Sequence, residues 1–216
     1  MSKSASMTLP TKITIVRLVM IPLIMISYCL QELNEYVFIA TASLFVVASM
    51  TDYLDGYIAR KYNLVSDLGK LLDPIADKVL VAAALFILVD GNYISVIPYL
   101  ALICSVIIIA REFMIGVLRQ VAALKGVALA ADKLGKIKTA TTLAGLTLLL
   151  FSRYNAFACE VINYIGIAFF IIATLVTVIS GINYIVKNTQ LFFGDSKEEK
   201  MLEQENTQEV ENEDKE

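Results

Sequence analysis

The chain contains no histidine and no tryptophan, and its 216 residues include only three cysteines and four prolines. Without histidine, any general base must be a carboxylate, a lysine or a tyrosine, and any metal site must be lined by oxygen. That favours Mg²⁺, Mn²⁺ or Ca²⁺ over zinc. Without tryptophan, tyrosine must supply an interfacial aromatic belt. Cys29, Cys104 and Cys159 each lie in or beside an apolar run. An odd, scattered set of this kind is no disulfide framework and reads as small-hydrophobe packing. Polar sequence is scarce as well: 57% of the residues are hydrophobic and the mean hydropathy is +0.69. That composition excludes an ordinary soluble domain and indicates a membrane protein.

The net charge of −3 conceals an asymmetry. From Asp195 onward there are ten acids and three lysines, whereas the body before it carries 15 basic and 11 acidic residues. A basic body suits anionic headgroups and phosphorylated substrates. The sequence therefore reads as one membrane domain, residues 1–194, followed by an acidic disordered tail, residues 195–216, with no catalytic role. No internal repeat and no second domain is evident.

Residues 1–11 predict a short interfacial lead-in. Six apolar runs follow, near 13–30, 36–57, 71–89, 94–118, 134–151 and 161–186. Each is long enough to cross roughly 30 Å of hydrocarbon at about 1.5 Å per residue. The first could be taken for a signal peptide, but Arg17 and Pro22 interrupt it and no small-x-small cleavage site follows. The expected fold is all-α, an integral membrane bundle of six transmembrane helices. One set of loops holds Lys12, Arg60, Lys61, Lys70, Lys125, Lys133 and Lys136, while the opposite loops hold only Arg153. The positive-inside rule then puts both termini in the cytoplasm and predicts a multi-pass plasma-membrane protein.

The second and third runs meet at an unusual stretch. It reads Asp52-x-x-Asp55-Gly56-x-x-Ala59-Arg60, then eight residues, then Gly69-x-x-x-Asp73-x-x-x-Asp77. On helices, Asp52 and Asp55 lie about 60° apart, and Asp73 and Asp77 about 40° apart. Taken singly, these acids have plain accounts: Asp73 could cap a helix before Pro74, and the others could reach to water. Four carboxylates converging at one interface are costly unless cations sit among them. Asp67 falls outside the pattern and reads as a solvated loop acid. Arg17, Arg111, Arg119, Lys136 and Lys138 are expected at about the same depth, with Lys133 beside them in sequence. They predict a carboxylate cluster walled by cations, in a cavity open to the cytoplasm and the inner leaflet.

The stretch resembles the signature of the CDP-alcohol phosphatidyltransferases, with every defining position filled from Asp52 to Asp77. The resemblance implies that Asp52, Asp55, Asp73 and Asp77 hold two Mg²⁺ ions, with Mn²⁺ as an alternative. It also implies that Asp77 is the general base and that Gly56, Arg60, Ser66 and Gly69 meet the CDP-linked donor. The segment from Arg111 through Arg119 to Lys136-x-Lys138-Thr139 is similar to phosphatidylglycerophosphate synthases within the family. So is the opening Pro10-Thr11-x-x-Thr14-x-x-Arg17, although Thr8-Leu9 stands where Asn-Ile is usual there. This narrower resemblance implies CDP-diacylglycerol and sn-glycerol 3-phosphate as substrates in a lipid bilayer. Arg111, Arg119, Lys133, Lys136 and Lys138 would capture the acceptor phosphate, and Thr14 and Arg17 would lend contacts. The bland reading of the same cations is interfacial anchoring, with Arg111 paired to Glu112. By family analogy the protein is a homodimer, and no nucleic acid is expected as a partner. Sibling transferases acting on inositol phosphate or serine share the signature. A cation carrier is a rival reading of intramembrane acids, but it would favour repeated halves and acids at the midplane. A catalytically dead scaffold would have no reason to keep every acid.

Overall fold

Among the described residues, the six apolar runs correspond to six α-helices: α1 (Leu9–Cys29), α2 (Tyr36–Tyr62), α3 (Asp67–Asp90), α4 (Leu100–Leu124), α5 (Lys133–Phe151) and α6 (Ala158–Lys187). A 3-10 turn, Gln31–Leu33, joins α1 to α2, and no strand occurs among the described residues. The computed structural model describes residues 9–34, 36–62, 67–94, 97, 99–124, 133–153 and 158–188. Most of the expected interfacial lead-in and all of the acidic tail lie outside the described residues. Residues 9–11 of that lead-in are already helical.

Helix ends depart from the ends of hydropathy. α2 continues to Tyr62, past Asp52, Asp55 and Arg60, because backbone hydrogen bonding does not require apolar side chains. α3 starts at Asp67 rather than near Leu71. Asp73 is therefore no N-cap, and Asp67 opens a helix rather than lying in a loop. Pro74 sits inside the helix, where it removes one backbone donor. α4 begins later than its apolar run, after Asn92 and Tyr99 turn the chain with φ of 49° and 62°.

Among the described residues, three helices are long and apolar enough to cross a bilayer, over Thr11–Cys29, Leu100–Ala123 and Glu160–Lys187. Their outer faces carry exposed stripes at helical spacing: Val16, Val19, Leu23 and Ile26 on α1, and Leu175, Ile179, Ile182 and Val186 on α6. Such stripes suit lipid and would be a liability in water. The protein is a membrane protein. The other three helices carry most of their charge toward one end, α2 at its C-terminal end and α3 and α5 at their N-terminal ends. α2 includes a shorter apolar stretch, Tyr36–Thr51, among its described residues. α3 and α5 open with charged residues and become apolar only later.

The core runs through Ile24, Phe45, Leu80, Leu88, Leu149 and Phe170, all nearly inaccessible. α1 packs on α2 and α3, α4 on α3 and α6, and α5 on α2 and α6. The α5–α6 contact is tight at two glycines. A Cβ on Gly145 would lie 3.1 Å from the Phe170 nitrogen, and one on Gly166 would lie 2.9 Å from Leu149 Cγ. Small residues at such crossings let backbones approach where hydrophobic driving force between helices is weak.

At the end of the bundle away from the acids, polar contacts tie the turns together. The Tyr28 hydroxyl donates to Asp90 at 2.7 Å, and Asn163 donates to the Tyr93 carbonyl and to Ser152 Oγ, both at 3.0 Å. Arg153 donates to the Gly91 carbonyl and lies over the rings of Tyr93 and Phe38.

Candidate active site

Chain order brings the charged helix ends to one end of the bundle. The C-terminal part of α2 leads directly into the N-terminal part of α3, and α4 hands on to α5 at the same level. On α3, Gly69, Asp73 and Asp77 recur every four residues and share a face. Gly69 is buried and both acids are half-buried. From α1, Thr14 donates a hydrogen bond to Asp73 Oδ1. Thr11, Thr14 and Arg17 repeat every three residues on α1, and none is more than 1% exposed. Arg17 is fully buried and engaged. A guanidinium so placed, if isolated, would cost several kcal/mol.

A cavity of about 830 Å³ opens between α3, α4 and α5. Asp77 and Lys78 line it from α3, Arg111, Glu112, Arg119 and Gln120 from α4, and Lys136, Lys138 and Thr139 from α5. Five cationic side chains thus share a wall with one candidate base. Lys138 is buried and ion-paired to Glu112, and Arg111 Nη1 stands 3.6 Å from the same carboxylate. The expected Arg111–Glu112 pairing is thus present but long, and Lys138 takes the closer place. A crevice of about 20 Å³ separates Asp77 from Glu112 and Lys138, room for a water-sized group.

Lys78 and Gln120 were not among the sequence candidates. Lys78 had a weak signal, its place directly after Asp77. Its ammonium occupies the space a side chain would take at Gly116, and it lies 5.5 Å from the Phe113 ring centroid. Beside the polar cavity runs an apolar groove of about 660 Å³, between Val46 and Met50 of α2 and Leu143, Thr147 and Leu148 of α5. Ser49 and Leu143 line both, so the charged cavity and the lipid-facing groove adjoin.

Other sequence candidates are described less fully. Asp52, Asp55, Gly56 and Arg60 ride on α2 and Lys133 opens α5. Their side chains, and all of Ser66, lie outside the described residues. The donor chemistry fits a hard divalent cation: α3 brings Asp73 and Asp77, and α2, which packs on α3, brings Asp52 and Asp55. Among the described residues alone, no three such ligands cluster.

A sequence profile of the CDP-alcohol phosphatidyltransferase family matches residues 7–182, nearly the whole helical body. The chain is 36% identical over 176 residues to the CDP-diacylglycerol–glycerol-3-phosphate 3-phosphatidyltransferase of Rickettsia felis, covering 82% of this chain and 92% of that one. It is 40% identical over 190 residues to the protein of the same name from Bacillus subtilis, covering 83% and 94%. A rice protein named cardiolipin synthase (CMP-forming) is 40% identical over 155 residues, covering 68% of this chain but 46% of the rice protein.

Proposed function

The chain belongs to the CDP-alcohol phosphatidyltransferase family, and we infer from that membership an enzyme of phospholipid biosynthesis. It transfers the phosphatidyl group of CDP-diacylglycerol to the sn-1 hydroxyl of sn-glycerol 3-phosphate, yielding phosphatidylglycerophosphate and CMP. The observation that carries this reading is the cavity in which Asp77 faces Arg111, Arg119, Lys136 and Lys138. An acid to take a proton and a cluster of cations to seat a phosphate are what a phosphorylated alcohol requires.

Asp77 accepts the proton of the acceptor hydroxyl. The freed oxygen attacks the lipid-side phosphorus in line, the bond from that phosphorus to CMP breaks, and CMP leaves with the electron pair. Arg111, Arg119, Lys133, Lys136 and Lys138 hold the acceptor phosphate. Gly56, Arg60, Ser66 and Gly69 accommodate the nucleotide end of the donor, and the adjoining apolar groove suits its acyl chains. Thr14 orients Asp73, and Arg17 offsets acidic charge from α1. Asp52, Asp55, Asp73 and Asp77 would hold two Mg²⁺ ions, which when bound neutralise pyrophosphate charge. All six helices cross the plasma membrane in this reading. Both termini and the acids face the cytoplasm, and the protein works as a homodimer.

Purified protein with CDP-diacylglycerol, Mg²⁺ and labelled glycerol 3-phosphate should release CMP. Asp77→Asn should lower that rate by about 10²- to 10⁴-fold. No release, or equal release from Asp77→Asn, removes the proposal. Serine, inositol phosphate and phosphatidylglycerol as competing acceptors separate the sibling reactions, including that of the rice relative. The basic wall favours the phosphorylated small alcohol over serine.

A further inference from the structure

Arg111 and Arg119 reach the cavity from α4, but both are met from behind by α6, a helix with no charged residue from 161 to 186. Arg111 Nη2 donates to Ser180 Oγ at 2.8 Å. Its stem crosses α6 where there is no side chain: a Cβ on Gly181 would lie 3.2 Å from Arg111 Cγ. Arg119 lies with its guanidinium 5.4 Å from the ring centroid of Tyr184. Ser180 is 1% exposed and Tyr184 4%, and neither is part of the cavity wall. The spacing is informative. Ser180 and Gly181 each lie about one turn before Tyr184 on α6, while Arg111 and Arg119 sit about two turns apart on α4.

We propose that Ser180, Gly181 and Tyr184 form a seat that fixes the two α4 arginines toward the acceptor phosphate, making α6 the positioning element of acceptor recognition. The proposal rests on the reading of the cavity as a phosphorylated-alcohol site. An arginine is a long, rotamer-rich side chain, and a phosphate that had to order it would lose affinity in doing so. Ser180 orders the Arg111 fork beforehand through one nitrogen. Arg111 Nε makes no hydrogen bond among the described residues, and Nη1 stays beyond hydrogen-bond range of Glu112. Nε is buried beside Gly181, so the fork is anchored at one corner and Nη1 is the donor left for a phosphate. Tyr184 offers a ring face, which holds a guanidinium without using any of its hydrogen-bond donors. Ser180, Gly181 and Tyr184 are positioning residues; none needs to touch substrate.

The test compares Ser180→Val with Ser180→Thr, which match in volume and differ in the hydroxyl. Full-length protein is assayed by CMP release. Relative to Ser180→Thr, Ser180→Val should raise the KM for glycerol 3-phosphate about five- to twentyfold. The KM for CDP-diacylglycerol should not move. Tyr184→Leu should raise the acceptor KM about threefold, and Tyr184→Phe, which keeps the ring, should not. Equal acceptor KM in the Val and Thr variants, or parallel changes for both substrates, overturns the seat. If the wild-type chain releases no CMP with any alcohol, the reaction reading fails, and the seat is then judged by inorganic phosphate alone. Phosphate should raise the unfolding temperature of wild type and Ser180→Thr, and raise that of Ser180→Val less. No shift in wild type, or equal shifts in all three, overturns the seat on that arm.

Discussion

At the residue scale, the site is a question of which charges are allowed to be buried. Lys138 and Glu112 sit together below the surface, and Arg111 borders the same carboxylate. Each would be costly alone. Lys138→Met would leave Glu112 without its close partner, and should lower stability by about 3 kcal/mol. Chemical denaturation in detergent would read it, and an unchanged midpoint would mean the pair contributes nothing. Arg111→Lys is a finer probe. It keeps the charge but loses the planar fork, so the glycerol 3-phosphate KM should rise about tenfold while donor KM holds. Asp77 and most of the cations were legible in sequence, because charges in an apolar chain announce themselves. Ser180 and Tyr184 were not: a hydroxyl and a phenol in an uncharged span have many uses, and only their proximity to Arg111 and Arg119 selects one.

At the element scale, glycines divide into those that packing requires and those it does not. Gly166 has no space for a Cβ beside Leu149, whereas nothing lies within 4 Å of a Cβ on Gly135. Gly166→Val should therefore cost about 1–3 kcal/mol by wedging α5 from α6. Gly135→Ala should be neutral or stabilise by up to about 1 kcal/mol, as an alanine gains helix propensity. Thermal unfolding of the two variants checks the contrast, and equal losses would contradict it. Both glycines look alike in sequence, each in a helical, apolar or basic context. Helix ends were similarly hidden. The apolar run of α2 reads as 36–57 in sequence, but the helix continues through Arg60 and Lys61 to Tyr62.

At the scale of the whole molecule, the two ends of the bundle do different work. The charged end gathers the cavity, and the far end is held by Arg153 against Gly91, Phe38 and Tyr93. Arg153→Ala should lower stability by roughly 1 kcal/mol, yet leave both KM values unchanged. A changed acceptor KM would show that the far contacts reach the cavity. Orientation has its own test. Cys29 is exposed at the far end of α1. As the sole remaining cysteine it should react with a membrane-impermeant maleimide from outside the cell, and labelling only after permeabilisation would invert the proposed topology.

The amino-acid order alone determined that the protein is helical and membrane-bound, and it marked Asp52 to Asp77 as the candidate site. Apolar run length and charge are local properties, readable one segment at a time. Only the tertiary structure decided that Asp77 shares a cavity with α4 and α5, that Lys138 rather than Arg111 lies closest to Glu112, and that α6 backs the arginines. Those facts depend on which helix faces lie within a few ångströms of one another across long stretches of chain, and no periodicity within a single helix encodes its neighbour.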